Sequence, residues 1–249
     1  MLSYFSNPQR FEQLARTLIP IFGVLTLGLL AVGIWLAFFG SPPDYQQGET
    51  VRIMYVHVPA AYMAMALYAA LAVASFVYFV WRHALADTAA EVIAPIGAAF
   101  TVLALFTGSL WGKPMWGTWW EWDARMTSVL VLLLVYLGYM ALRAAIEDAQ
   151  QAARTAAILG MAGIINLVIV KFSVDWWSSL HQPASVIRFD GPTIHPSQLW
   201  PLAIMALAYT FLAGWLVLYR LRSQALRRRA RTLQRQREQA ARRNEDAVS

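Results

Sequence analysis

Six long stretches without Asp, Glu, Lys or Arg recur along the chain, separated by segments that carry charges. A helix that spans a bilayer needs about 20 mainly apolar residues. A charge near the bilayer centre costs about 2.5–3.5 kcal/mol, so charged residues should mark the ends of the spans. The pattern therefore predicts an all-α integral membrane protein with six transmembrane helices, near residues 18–39, 59–81, 92–110, 127–143, 155–172 and 198–219.

The fifth uncharged stretch, residues 155–170, is too short to cross a bilayer without help from its flanks. Arg154 precedes it and Lys171 follows it. Long basic side chains bury their stems in apolar surroundings and hold their charge in water. We expect both residues to reach the two membrane surfaces and to complete the fifth span.

The composition agrees with a membrane protein. The chain is 59% hydrophobic and only 14% charged, with a mean hydropathy of +0.47, whereas soluble domains are about 25% charged. It has no cysteine, which excludes disulfides, thiolate metal sites and cysteine nucleophiles.

The basic residues are divided unevenly between the two sides of such a bundle. With six spans both termini share one side, which holds 15 of the 20 basic residues, ten of them between residues 220 and 243. The positive-inside rule predicts that this side is cytoplasmic. We predict a membrane domain over residues 1–219 and a basic cytoplasmic tail over residues 220–249. The tail is typical of a topology signal beside anionic lipid, and it lacks the aromatic residues that single-stranded nucleic acid would stack on.

The outer side collects eight of the eleven tryptophans and three of the four histidines. Its loops lie near residues 40–58, 111–126 and 173–197, and the second loop reads WGKPMWGTWWEWDAR, with five tryptophans. An aromatic belt should populate both membrane interfaces, so a belt does not explain five tryptophans in one loop. The cluster indicates an anchor or a surface for a large, flat, apolar ligand.

Spacing indicates how this cluster would be presented. If residues 116–123 are helical, Trp116, Trp119, Trp120 and Asp123 share one face at i, i+3, i+4 and i+7, while Trp122 points elsewhere. We expect this face to hold a planar ligand and Asp123 to fix the loop.

Two outer histidines lie at predicted element ends. His57 precedes the second span, with Pro59 in its expected first turn, and Pro183 follows His181. On any helical turn, Trp177 would be the i, i+4 neighbour of His181. Each imidazole alone could be an interfacial polar group, but the pair beside a tryptophan cluster favours an iron porphyrin with two axial imidazoles.

Other arrangements fit less well. A zinc or copper site would need three or four ligands, and His195 is a weaker third candidate. Haem propionates require cations, for which Arg52 and Arg125 are the candidates. Both arginines could instead contact lipid headgroups or pair locally, Arg125 with Asp123 or Glu121.

Beyond these inferences, WGKPMWGTWWEWDAR resembles the tryptophan-rich WWD motif of the haem-handling proteins of cytochrome c maturation. VHVPAAY at the second span and SLHQP in the third outer loop are similar to the family of cytochrome c maturation protein C, also called haem exporter protein C. The resemblance covers the chain up to about residue 220.

The resemblance implies a protein of the bacterial inner membrane that holds haem b non-covalently at the periplasmic face. Within the family pattern, His57 and His181 are axial ligands and the arginines at positions 52 and 125 take part in haem handling. The haem-presenting surface would comprise Trp116, Trp119, Trp120, Trp122 and Asp123. Haem passes to a periplasmic haem chaperone, in a complex with an ATP-binding cassette transporter and a small single-span subunit.

We therefore expect a haem-delivery protein rather than an enzyme, with ATP hydrolysed by a partner, since the chain has no GxxxxGK[ST] phosphate loop. Two alternatives remain. A haem permease would need polar residues along its path, and the spans offer Asn166 and few others. A membrane electron-transfer cytochrome would place its histidine pair within helices.

Overall fold

A computed structural model describes residues 8–182, 185, 186, 188 and 190–248. Its regular structure is helical, apart from one isolated bridge between Asp44 and Gly48. A π-helical turn, Leu36–Gly40, follows the first α-helix, and a 3₁₀ turn, Glu49–Ile53, precedes the second. The α-helices are α1 (Pro8–Trp35), α2 (Met54–Trp81), α3 (Ala84–Trp116), α4 (Ala124–Ala145), α5 (Ala149–Ala162), α6 (Ile164–Trp176) and α7 (Pro196–Val248).

Six segments of the described chain are long and apolar enough to cross a membrane, which confirms the predicted number of spans and the all-α class. The protein is a multi-pass membrane protein. The side that each terminus faces stays a prediction. The segments are Arg10–Gly40, Glu49–Trp81, Ala84–Trp116, Ala124–Ala145, Ala149–Trp176 and Pro196–Arg227.

The helices extend beyond the uncharged stretches because ion pairs allow charges inside them. The third helix begins at Ala84 rather than near residue 92, and so includes Asp87 and Glu91. Arg143, near the end of α4, reaches both carboxylates, with Nη1 at 2.5 Å from Asp87 and Nη2 at 3.3 Å from Glu91. An uncharged window therefore indicates where a span lies but not where its helix begins.

Two helices, α5 and α6, form the fifth span, and they meet at Gly163. The Tyr68 hydroxyl occupies the place where a Cβ at this position would lie, so the close approach requires glycine. The combined span runs from Ala149 to Trp176. The predicted end of the fifth helix near residue 172 was therefore wrong, because Lys171 lies within α6, five residues before its last residue. That Lys171 reaches the membrane surface stays a prediction.

Buried tyrosines fill the centre of the bundle. The hydroxyl of Tyr68 donates to the Gly160 carbonyl at 3.1 Å, and that of Tyr136 donates to the Ala64 carbonyl at 2.9 Å. The two rings pack edge to face with centroids 5.1 Å apart. Each buried hydroxyl is thus satisfied by a backbone carbonyl, and the interior between α2, α4 and α5 is closely packed.

The last helix continues without a break through the predicted boundary at residue 219. It packs along α1, and Arg222 joins the two helices through Glu12, with Nη2 2.9 Å from Oε1. The division into a membrane domain and a basic tail stays a prediction from charge.

Candidate functional site: a histidine-lined cavity

A cavity of about 770 Å³ opens at the end of the bundle where the three predicted outer loops meet. Its volume falls within the range of about 300–1,000 Å³ that is usual for small-molecule sites. Both predicted ligands, His57 and His181, line it. The wall also includes Trp111, Trp116, Arg125, Lys171 and His195.

His57 lies inside α2, three residues after Met54, and not in a loop. The prediction was wrong because Pro59 was taken to mark the first turn, whereas the 3₁₀ turn Glu49–Ile53 leads the chain into the helix upstream of the proline. His57 therefore stands on a regular helix, one face of which packs against α3.

Contacts with α3 fix the orientation of the His57 imidazole. Its Nδ1 lies 3.0 Å from the Ala104 carbonyl oxygen and 3.1 Å from Thr107 Oγ1. A carbonyl can only accept, so Nδ1 carries the proton and Nε2 keeps its lone pair. Gly108 makes the room, because a Cβ there would lie 3.0 Å from the ring's Cε1. The Trp111 ring packs edge to face against the imidazole, with the two ring centroids 5.7 Å apart.

His181 is held by the tryptophan loop from the opposite side of the cavity. Its Nδ1 lies 3.1 Å from Asp123 Oδ2, and its backbone N–H donates to Ser179 Oγ at 3.1 Å. Burial lowers the pKa of His181 more than the Asp123 carboxylate raises it. The imidazole is therefore neutral near pH 7, donates from Nδ1 and keeps its lone pair on Nε2.

Asp123 connects the start of α4 to the segment that carries His181. Burial raises the pKa of this carboxyl, but hydrogen bonds from Ser179, Met126 and His181 outweigh burial and leave the pKa below its ordinary value. Its Oδ1 accepts from the Met126 N–H at 2.7 Å and so caps α4, while Oδ2 accepts from Ser179 Oγ at 2.5 Å. The carboxylate thus joins the start of α4 to the His181 segment, as expected of a residue that fixes the loop.

The tryptophan loop is helical only at its two ends, where residues 111–116 belong to α3 and Ala124 begins α4. Gly117, with φ +78°, ends α3, and residues 117–123 are irregular. The prediction that Trp116, Trp119, Trp120 and Asp123 share a helical face was therefore wrong, because the left-handed glycine redirects the chain. Trp116 lines the cavity and lies 4.8 Å from the His181 ring, centroid to centroid.

The other loop tryptophans lie outside the cavity wall. Trp119 and Trp122 are 54% and 72% exposed, and Trp120 is half-buried with its ring edge to face against Trp122 at 5.3 Å. Trp177 is not helical either, since α6 ends at Trp176. The expected i, i+4 pairing of Trp177 with His181 was wrong, and Trp116 takes that place.

The two arginines that were candidates for binding propionates, Arg52 and Arg125, lie in different places. Arg125 lines the cavity and donates from Nε to Ser173 Oγ at 2.8 Å, instead of forming the alternative ion pair with Asp123 or Glu121. Arg52 is outside the described cavity wall. Its guanidinium contacts the carbonyls of Ala37 and Ser41 and the Glu49 carboxylate, so it ties the 3₁₀ turn to the end of the first span.

Two wall residues were missed as contributors. Trp111 was counted only as part of the cluster, yet its Nε1 donates to Gln47 Oε1 at 2.9 Å and closes one side. Lys171 was interpreted as a surface anchor because its sequence position follows an apolar stretch.

Among the described residues, no group of three or more His, Asp or Glu could hold a metal ion, so a zinc or copper site gains no support there.

Comparison with known proteins decides the family. The sequence model described as Heme exporter protein C matches residues 1–236. The chain belongs to the heme exporter protein C family. The match extends beyond the predicted limit of about residue 220 and includes part of the basic tail.

Several heme exporter C proteins align over most of this chain. Heme exporter protein C of Bradyrhizobium diazoefficiens is 55% identical over 229 residues, which are 92% of this chain and 87% of that protein. The proteins of that name from Escherichia coli K12 and Haemophilus influenzae are 45% and 44% identical. Those alignments cover 90% and 91% of this chain, and 91% and 92% of the relatives. The resemblance stated from the tryptophan motif is therefore confirmed.

Proposed function

We propose that this protein binds haem b non-covalently in the histidine-lined cavity and delivers it to a periplasmic haem chaperone during c-type cytochrome biogenesis. The observation that carries the proposal is that His57 and His181 line one cavity with each Nδ1 already engaged. The relatives' shared name, heme exporter protein C, agrees with haem as the cargo.

The chemistry of the two histidines suits an iron porphyrin. A metal-ligating imidazole commonly donates its second nitrogen to a carbonyl or a carboxylate, which fixes the tautomer and the ring orientation. His57 meets a carbonyl, Ala104, and His181 meets a carboxylate, Asp123. The Nε2 atoms of these two histidines would hold a haem iron, to which the porphyrin supplies the remaining ligands.

The surroundings of the cavity suit a ligand that is later transferred to a partner protein. Trp111 and Trp116 give the cavity apolar walls beside the two imidazoles. Trp119 and Trp122 expose large apolar surfaces just outside it, and such surfaces mark sites for partner proteins. We assign the first pair to haem contact and the second pair, with Trp120, to the chaperone. Close packing around Tyr68 and Tyr136 favours delivery from one face over passage through the bundle.

The distribution of charge supports the orientation. The 15 basic residues on the side of the termini and the five on the other side favour cytoplasmic termini and a periplasmic cavity in the inner membrane. We assign ATP hydrolysis to an associated ATP-binding cassette transporter with a small single-span subunit. A reporter fused after residue 249 that is active only in the periplasm would refute this orientation.

The test is the absorption spectrum of protein purified from haem-replete cells. The wild type should give a low-spin haem spectrum, and His57→Ala and His181→Ala should each lose haem or become high-spin. His195→Ala tests the third candidate on the cavity wall, whose Nδ1 contacts Ser197 at the start of α7, and this variant should keep the low-spin spectrum. Loss of haem in His195→Ala alone would refute the ligand assignment.

Delivery is tested separately. Membranes loaded with haem are mixed with purified periplasmic chaperone, and haem is measured on each protein. Transfer should depend on the loop tryptophans, and absence of transfer from a haem-loaded wild type would refute delivery without refuting binding.

A further inference from the structure

Lys171 is a charged residue at an unexpected place. It lies in α6, within a span that crosses the membrane, about 7.5 Å along the helix axis from Trp176. Charged residues inside spanning helices are costly and usually face a polar cavity or a functional partner. Lys171 lines the histidine cavity, so it belongs to the same wall as His57 and His181.

No described residue neutralises Lys171. Its side chain has no hydrogen bond or ion pair with any residue that the structure describes, which sets it apart from the other basic residues near the cavity. Arg52 is held by Glu49, and Arg125 donates to Ser173. Asp175 lies one turn further along α6 and also lines the cavity, but it forms no ion pair with Lys171 within 4.0 Å.

The remaining acid of the cavity wall is already engaged. The carboxylate of Asp44 accepts two backbone hydrogen bonds, from the N–H groups of Gln46 and Gln47, each at 2.9 Å. The cavity thus presents two cations, Lys171 and Arg125, of which only Arg125 has a protein hydrogen-bond partner among the described residues. Asp44 and Asp175 balance the two cations in formal charge, but the Lys171 ammonium has no hydrogen-bond acceptor among the described residues, and a carboxylate of a ligand would supply one.

We propose that Lys171 is a binding residue that pairs with a carboxylate of the cargo, in the role that the sequence had suggested for Arg52. This inference rests on the proposed function, since the carboxylate is a propionate if the cargo is haem. The structure directs Arg52 away from the cavity, to the end of the first span. Lys171 instead provides the second cation, beside Arg125.

The test compares two ligands that differ only in their carboxylates. Apo-protein in detergent is titrated with haem and with iron protoporphyrin IX dimethyl ester, and Kd is read from the Soret band. Lys171→Met should weaken haem binding by about tenfold, the effect of one lost charge-assisted hydrogen bond. It should leave the Kd of the diester unchanged, and Lys171→Arg should restore haem binding.

Lys113→Met is the matched control. Lys113 lies at the same end of the bundle, at the end of α3, but its ammonium donates to the Gly117 carbonyl at 2.9 Å and does not line the cavity. This variant should bind both ligands like the wild type. An equal loss of both ligands in Lys171→Met, or no loss of either, would overturn the inference. Failure of the wild type to bind haem would instead overturn the proposed function.

Discussion

Asp123 gives the sharpest test of how the cavity is organised, through the substitution Asp123→Asn. In the wild type, Oδ1 caps α4 through Met126, and Oδ2 accepts from both Ser179 and His181. Asparagine can keep the cap with its own oxygen, and Asn and Asp are equally good at this position. The group that faces His181 then becomes an NH₂ donor.

A donor opposite Nδ1 changes the tautomer of His181. The imidazole regains a hydrogen bond only if its proton moves to Nε2, and a protonated Nε2 has no lone pair for iron. Loss of such an outer partner typically lowers metal affinity by about 10- to 100-fold, or about 1.4–2.8 kcal/mol. We therefore expect Asp123→Asn to weaken haem binding by this factor and to leave thermal stability nearly unchanged.

The assay pairs a Soret titration with thermal unfolding followed by circular dichroism. Asp148→Asn is the matched control, because Asp148 caps α5 through the Gln151 N–H at 2.6 Å and takes no part in the cavity. Both variants should unfold like the wild type, and only Asp123→Asn should lose affinity. Wild-type affinity and a low-spin spectrum in Asp123→Asn would refute the role given to this carboxylate.

Three further predictions concern other parts of the molecule. Gly108→Ala should weaken haem binding in the Soret titration, because the new Cβ would press on the His57 ring. Gly28→Ala is the control, because its new Cβ would meet no atom within 4 Å, and it should bind haem like the wild type. Arg143→Met should lower the free energy of unfolding by up to about 3 kcal/mol, because it removes the ion pairs of Arg143 with Asp87 and Glu91. Unchanged thermal stability would contradict this. Replacing the exposed Trp119 and Trp122 together by Ala should reduce haem transfer to the chaperone at normal membrane protein level and normal bound haem, and undiminished transfer would reduce them to interface anchors.

The membrane architecture could be predicted because it depends on one strong constraint. Backbone groups inside a bilayer must be satisfied within the helix, so uncharged stretches of sufficient length become spans. The ends of the helices could not be predicted in the same way. The bridge from Arg143 to Asp87 joins residues 56 positions apart, and no local pattern indicates that such distant charges neutralise one another.

Part of the cavity could likewise be predicted from the sequence, and part could not. Residue types and the tryptophan motif drew attention to His57, His181 and Trp116, and the structure places all three around one cavity. The helical arrangement of the loop was wrong because a single left-handed residue, Gly117, ends the helix. The place of Lys171 on the cavity wall could not be predicted, because the direction of a side chain depends on tertiary packing, which a hydropathy pattern does not contain.

The two histidines stand on supports of different stiffness. His57 belongs to a regular helix with backbone hydrogen bonds on either side of it and a packed neighbour in α3. His181 follows the end of α6 in irregular chain, and side-chain contacts with Asp123 and Ser179 hold it. The contacts that hold His181, including the Trp116 ring, are all made by side chains, and none of them is a backbone hydrogen bond of a membrane-spanning helix. The two sides of the cavity therefore differ in what a displacement of the histidine would break: helical backbone hydrogen bonds at His57, and side-chain contacts alone at His181.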